Sequence, residues 1–424
     1  MAEVGKVPAS DMELADSSET KAADDVAATD KVEVTPVTVT ITDTVVESSK
    51  STDCKELQQL VPHTVASLSE VDVASPTSEK APKISESSTP IKSLKNADFR
   101  VTVTTRKMVT LIVATTSDPA SINPAAALLA MPGWIAGPIL PPDIKSFSNK
   151  QTRVIQHDRS IVKEDDLDLR WEEATGEVID EVIFLSRHTA VSNRPALTVH
   201  PIGVLHLKDG ESPPQGGKPG WAALPNPRIG PWFRLLKKMA EAHGLVPEFE
   251  ITLEATHHGP ITNKPTMFLE IGSTEEYWKR DDAAQVMALL MWEGLGLGGG
   301  EAVGNWNSET GKRKVLLGIG GGHYAPRHMD IVLKDDIWVG HLLSGYSLPM
   351  EDPTQTKTTP VENYIGGNWR QSIKAAFEAT KAAFPGGEIL AHLDHKSFKG
   401  WQKKAITEFL AEESINVGKP NDFT

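Results

Sequence analysis

The stretch Met108-Val-Thr-Leu-Ile-Val-Ala-Thr-Thr-Ser-Asp-Pro-Ala120 decides the fold. Val109–Thr116 is a continuous run of the kind found in strands buried on both faces. Ser117-Asp-Pro-Ala then reads as a cap and first turn, with proline fixing φ for the first helical residues. A short Ala/Leu-rich helix follows. A buried strand feeding straight into a helix is the opening unit of an α/β domain.

The same alternation continues downstream. Glu181–Leu185, Phe249–Glu254, Met267–Ile271, Lys314–Ile319, Ile337–Val339 and Glu388–Leu393 read as strands, and Asp330–Leu333 is a short apolar segment after the fourth of these. Trp232–His243 has helical spacing with Gly244 as its stop. Ser273-Thr-Glu-Glu276 reads as a capping box for one long helix reaching about Gly294, and Gly294–Gly300 as a turn. Trp369–Phe384 is an amphipathic helix stopped by Pro385-Gly-Gly, and Phe398–Glu412 is the last helix. The expectation is an α/β fold of three layers, α/β/α, with helices on both faces of a mostly buried mixed sheet.

Upstream of Met108 the composition changes. Residues 1–107 are rich in Ser, Thr, Val, Ala and charge, and Gly5 is their only glycine. Val37–Thr44 alternates Val or Ile with Thr, but no turn chemistry or apolar neighbour supports a sheet, so a disordered extension is expected before a catalytic domain at 108–424. The acidic start is unlike an organellar or secretory leader, so the cytoplasm is expected, with the nucleus as second compartment. No stretch approaches the roughly 20 apolar residues of a membrane span.

The single cysteine, Cys54, excludes internal disulfides and thiolate clusters, and it falls in the extension. Chemistry therefore rests on the 13 histidines and their carboxylate neighbours. A net charge of −14 argues against binding polyanions through bulk charge, so an RNA partner needs a local basic patch, and DNA is not an expected partner. The candidate patch is Arg228, Arg234, Lys237 and Lys238, then Lys312, Arg313 and Lys314, then Lys396, Lys399, Lys403 and Lys404. Ordinary solvated faces explain these residues equally well.

The histidines stand just after strands, beside small residues. His188 follows an apolar strand, with His200 close behind, and each is either a pocket residue or one that satisfies loop backbone. Glu254-Ala-Thr-His257-His258-Gly259-Pro260 places two histidines together. On extended backbone they would face opposite ways, so only one reaches a given pocket unless the chain turns. Gly320, Gly321 and Gly322 lead into His323, Tyr324, Arg327 and His328. Such glycines let backbone approach a ligand and free N–H groups for an oxyanion or other anion. Tyr324 is a candidate for stacking or hydrogen bonding, and Arg327 for phosphate. His341, His392 and His395 are weaker candidates. His188, His257, His258, His323 and His328 with Glu254 or Glu270 supply enough donors for zinc, which needs about three N or O ligands and one open position. They equally supply metal-free general bases. There is no zincin spacing and no Gly-x-Ser-x-Gly elbow.

Phe184-Leu-Ser-Arg-His188, Leu197-Thr-Val-His200-Pro, Glu254 to Pro260, Ile271-Gly-Ser-Thr-Glu-Glu276 and Gly320 to Pro326 resemble the signature blocks of the archaeal and plant D-aminoacyl-tRNA deacylases, over about residues 108–424. The resemblance implies hydrolysis of the ester between a D-amino acid and the tRNA 3′ end, with zinc as cofactor. It also implies a fold related to nucleoside phosphorylases and peptidyl-tRNA hydrolases. It further implies a link to ethanol and aldehyde tolerance through clearing of N-modified D-aminoacyl-tRNA. On the residues themselves, the expected catalytic set is His188, His257, His258, His323 and Glu254. Gly320, Gly321, Gly322, Tyr324 and Arg327 are expected to touch substrate, and His188, His257 and His323 to hold the metal. Peptidyl-tRNA hydrolase, nucleoside phosphorylase and a non-catalytic tRNA-binding protein stand as alternatives.

Overall fold

The computed structural model describes residues 108–141, 144–207, 210–307, 313–334, 336–352 and 365–424. Expectations for residues 1–107, Cys54 and Lys312 lie outside these. Residues 105–424 belong to one compact unit.

The opening strand, β1 (Met108–Thr115), is buried along all but its first residue. Its alternate side chains enter two separate cores. Ile112 and Ala114 join one with Trp232, Leu236 and Met287, while Leu111 and Val113 join the other with Phe184, Phe268 and Trp171. Helix α1 (Pro119–Leu129) starts as the sequence predicts: Asp118 accepts the Ala120 N–H at 3.0 Å, and Pro119 occupies the first turn. Helix α2 (Leu167–Thr175) packs Trp171 on the second face, whereas α3 (Ile229–Ala242) and α5 (Asp281–Gly294) cover the first. The α/β/α layering follows from this two-faced burial.

The strands of the sandwiched sheet are β2 (Ile135–Ala136), β3 (Lys145–Asn149), β4 (Thr152–His157), β5 (Val178–Arg187), β6 (Ala196–His200), β9 (Glu250–Leu253) and β10 (Thr266–Gly272), with β1. Their order is β2-β3-β4-β1-β5-β10-β6-β9. β4, β1, β5 and β10 run parallel, and β6 pairs antiparallel to β10 before β9 pairs parallel to β6. A small antiparallel ribbon joins β7 (Gly203–Val204) to β8 (Trp221–Ala222). The C-terminal strands do not extend the main sheet. β11 (Lys314–Ile319), β12 (Trp338–Leu343) and β13 (Glu388–Leu393) form their own parallel sheet in the order β12-β11-β13. Helices α7 (Trp369–Ala383) and α8 (Gly400–Glu412) close a second core around Trp369, Ile406 and Phe409.

Three local expectations are corrected. The long helix predicted from Ser273 is interrupted: α4 (Glu275–Trp278) ends before α5, and Arg280 between them is extended. Arg280 is held there by bonds to Glu248 and Asp282 at 2.7–3.1 Å, and the Thr274 side chain caps nothing. The short apolar segment Asp330–Leu333 proves to be the end of a helix, α6 (Pro326–Val332), and its cap. The third correction concerns the basic patch. Arg228 is buried, with Nε 2.8 Å from both Glu181 oxygens and its other nitrogens bonding Gly294 O, Val303 O and Asn305 Oδ1. Arg234 donates to the carbonyls of Val332 and Ile337, and Lys314 to those of Asp422 and Thr424. These cations hold the fold together.

Arg228→Ala should therefore destabilise the protein by about 3–5 kcal/mol, because it leaves Glu181 buried and unpaired. Urea unfolding reads the loss, and deacylation per folded molecule should be unchanged. A stable variant with weakened tRNA binding would restore Arg228 to the patch.

Candidate active site

His188 lies one residue past β5, and its ring is buried. Nδ1 is 3.0 Å from Glu254 Oε1 and 3.6 Å from Glu270 Oε2, while Nε2 is 2.8 Å from the Tyr324 hydroxyl. Burial opposes a charge on His188, but the two carboxylates outweigh it and raise its pKa to about 10. A Cβ on Gly272 would lie 2.8 Å from the His188 ring, so only glycine lets β10 pass this closely.

Glu254 follows β9 directly and is fully buried. Its Oε2 is 2.7 Å from His323 Nε2 and 3.6 Å from His257 Nε2. Burial alone would protonate it, yet the bonds to His188 and His323 hold it ionised, well below the usual carboxylate range. His323 reaches it from the loop after β11. The Ala255 N–H donates to His323 O and the Thr256 N–H to Leu342 O, which ties that loop and the second sheet to the first.

His200, at the end of β6, His257 and His258 form a second group. Both adjacent histidines reach it, contrary to the extended-strand expectation, because the chain turns at His258 (φ 44°). Ring centroids lie 4.3 Å apart for His200 and His257 and 4.4 Å for His257 and His258. Each Nδ1 faces a backbone carbonyl: Pro201 O at 3.1 Å, Ala255 O at 2.8 Å and Gly259 O at 2.6 Å. These carbonyls accept the Nδ1 protons and leave Nε2 of His257 and His258 as lone-pair donors, while His200 Nε2 lies 3.8 Å from Glu270, where, against burial, the carboxylate raises the His200 pKa. Burial lowers the pKa of His257 far below the usual value and that of His258 to about 4, so both stay neutral.

A cavity of about 510 Å³ opens onto the cluster. Asp118, Arg187, His188, His257, Glu270 and His323 are among the residues on its wall. Nitrogen and oxygen atoms of His200, His257 and His258 come within 4.8 Å of one another, as do those of His188, Glu254 and His323. His200 Nε2 is buried with no hydrogen-bond partner, and the buried Glu254 oxygens have ion pairs but no directed hydrogen bond. Orphaned donors of this kind, held by carbonyls on their far sides, suit a zinc ion. By contrast, both ring nitrogens of His188 and of His323 are engaged, those of His323 by Glu254 and the Tyr346 hydroxyl at 3.1 Å.

The glycine loop departs from its expected role. The Gly320 N–H donates to Leu343 O and the Gly321 N–H to Ser397 Oγ, so neither is free for an oxyanion. Arg327 pairs with Asp394 at 2.7 Å. His328 bonds His392 and Gly320 O beneath the loop, and His341 bonds Thr256 and Ala223 O; both are structural. Two acids join the wall outside the expected catalytic set. Glu270, a candidate metal donor from sequence, is a charge inside the apolar strand Met-Phe-Leu-Glu-Ile. Asp118 is more than a helix cap, since its second oxygen accepts the Arg187 N–H at 3.0 Å.

A cavity in a three-layer α/β protein, lined by Glu270 and by histidines held in opposite protonation states over buried Glu254, has the make-up of a hydrolytic active site. The family model for D-aminoacyl-tRNA deacylase matches residues 175–418, and this chain belongs to that family. It is 96% identical over 317 residues, 75% of this chain and all of the relative, to D-aminoacyl-tRNA deacylase of Arabidopsis thaliana. It is 37% identical over 169 residues to the protein of that name from Archaeoglobus fulgidus, covering 40% of this chain and 54% of the relative. The crystal structure of the conserved protein of unknown function AF0625 superposes with a TM-score of 0.58 at 27% identity, over 75% of this chain and 98% of that one. An 89-residue stretch, 21% of this chain, is 79% identical to 18% of WRKY transcription factor 1 of Arabidopsis thaliana, too little of that protein to bear on activity.

Proposed function

We propose that residues 108–424 hydrolyse the ester joining a D-amino acid to the 3′ end of tRNA, releasing D-amino acid and tRNA. The observation that carries the mechanism is the pair of His323, on the cavity wall, with buried Glu254 2.7 Å behind it, beside His200, His257 and His258. His323 Nδ1 exchanges its bond to the Tyr346 hydroxyl for the attacking water and takes that water's proton, and ionised Glu254 at Nε2 orients the ring and stabilises the imidazolium that forms. His188, protonated and clamped between Glu254 and Tyr324, places fixed positive charge where the ester carbonyl becomes negative. Tyr324 thus positions His188 and does not line the cavity. His200, His257 and His258 are the residues that would hold zinc, in place of the expected His188, His257 and His323. When bound, zinc supplies Lewis-acid charge that eases loss of a proton from water.

Removal of N-modified D-aminoacyl-tRNA is the same ester chemistry and falls within the proposal. The cytoplasm, where charged tRNA is used, is the proposed compartment. Among the described residues, no helix is long and apolar enough to cross a membrane.

The test is deacylation of D-tyrosyl-tRNA, L-tyrosyl-tRNA and N-acetyl-L-tyrosyl-tRNA by the full chain, before and after chelation. Only the D-ester should be cleaved, and chelation should slow it at least about 100-fold, restored by zinc. Preference for the N-acyl L-ester would identify a peptidyl-tRNA hydrolase. Cleavage of a nucleoside with phosphate would identify a phosphorylase, and binding without release a tRNA carrier. Full activity after chelation would remove zinc from the mechanism.

A further inference from the structure

Arg187 ends β5, immediately before His188, and its side chain is exposed at the wall of the catalytic cavity. Other arginines are consumed by the protein: Arg228 by Glu181, Arg153 by Glu177 and Arg327 by Asp394. Arg187 differs, having no ion pair among the described residues; its Cζ lies over the Trp278 ring, 5.0 Å from the centroid. The Arg187 charge also acts on Asp118 on the same cavity wall, whose two oxygens accept the backbone N–H groups of Ala120 and Arg187. Trp278 in turn is fixed to the site, since its Nε1–H donates to the carbonyl of His188 at 2.9 Å. Short helix α4, cut off from α5 at Arg280, is what delivers this ring. Hydroxyls of Ser117, Ser160 and Thr189 line the same cavity.

A guanidinium held over an indole ring loses little freedom on binding a planar or tetrahedral anion. Arg187 and His188 line the same cavity, so Arg187 sets a cation in the pocket that holds the histidine facing the ester. We propose that Arg187, braced by Trp278, binds the backbone phosphate of the 3′-terminal nucleotide and so fixes the ester over His188 and His323. The proposal rests on the deacylase reading above and supplies the phosphate contact once expected of Arg327.

The experiment compares two ligands that share the ester and terminal nucleoside. One is D-tyrosyl-tRNA, and the other is 3′-O-D-tyrosyl-adenosine, which has no phosphate, used as substrate or as competitive inhibitor. Arg187→Ala should raise KM for the tRNA roughly tenfold more than it raises KM or Ki for the adenosine ester. The slope of log kcat/KM against log salt should become shallower by about 0.7, one single-strand phosphate. Arg187→Lys should recover the salt slope but only part of the affinity, and Trp278→Ala should reproduce the KM effect without abolishing the slope. Equal losses on both ligands, or an unchanged salt slope, overturn the phosphate assignment. Should wild-type protein fail to cleave D-tyrosyl-tRNA at all, the deacylase reading falls first. Wild-type activity together with equal losses in Arg187→Ala sinks this proposal alone.

Discussion

His257→Ala is expected to lower single-turnover deacylation of D-tyrosyl-tRNA by about 1,000-fold or more and to leave the purified protein without zinc. The reasoning starts from tautomers. The Ala255 carbonyl accepts the Nδ1–H of His257 at 2.8 Å, which commits Nε2 to act as a lone-pair donor. His258 is committed in the same way, and His200 also faces a carbonyl through Nδ1 while its Nε2 lies 3.8 Å from Glu270 Oε2. Removing one of three nitrogen ligands leaves two, too few to hold zinc against water. Stability should change far less than activity, since His257 is the least buried of the three and its loss strands no charge. Zinc content, melting temperature and rate measured on one sample decide the matter. Retained zinc with lost rate would move His257 from ligand to acid–base group. A near-normal rate with zinc lost would separate the metal from catalysis.

Glu254→Gln should be the second most damaging change, with a rate loss again near 1,000-fold but zinc retained. The substitution keeps the shape and removes the charge. Glu254 touches His188 at 3.0 Å and His323 at 2.7 Å and lies 3.6 Å from neutral His257, so it is the counter-ion of the first group and borders the second. Without it, His188 keeps only Glu270 at 3.6 Å and must lose much of its raised proton affinity. His323 loses the carboxylate that stabilises its imidazolium. Breaking a buried ion pair from one side costs about 3 kcal/mol, which denaturant unfolding should show. Loss of stability with the rate per folded molecule intact would reduce Glu254 to a structural counter-ion. Loss of zinc would make it a ligand.

The histidines of the site were legible because each stands at the end of an apolar run, where a polar ring has no packing reason to be. His188, His257, His258 and His323 share that signature, and Glu254 sits within one of the same segments. What they do to one another was not legible. His200 was read no more strongly than a loop histidine, since nothing in Leu197-Thr-Val-His200 tells that its ring meets His257 across 57 residues of chain. The mixed sheet makes that meeting: β6 runs against β10, so His200 lies opposite Phe268, near Glu270, and away from the edge where β5 ends. Strand-end reasoning for parallel sheets assumes one active edge, and here two opposed sets of strand ends converge.

By itself the sequence determined the layering, because Met108–Thr115 alternates into two cores and any strand so apolar must be covered on both faces. It also determined which polar residues were worth watching. Only the tertiary structure decided which histidines meet, the direction of their pKa shifts and the fate of the arginines. Tautomers depend on which carbonyl faces Nδ1, and pKa values on which carboxylate shares the burial. Whether an arginine is free depends on partners as distant as Glu181 from Arg228 or Asp394 from Arg327. These are contacts between segments far apart in the chain, and local periodicity carries no record of them.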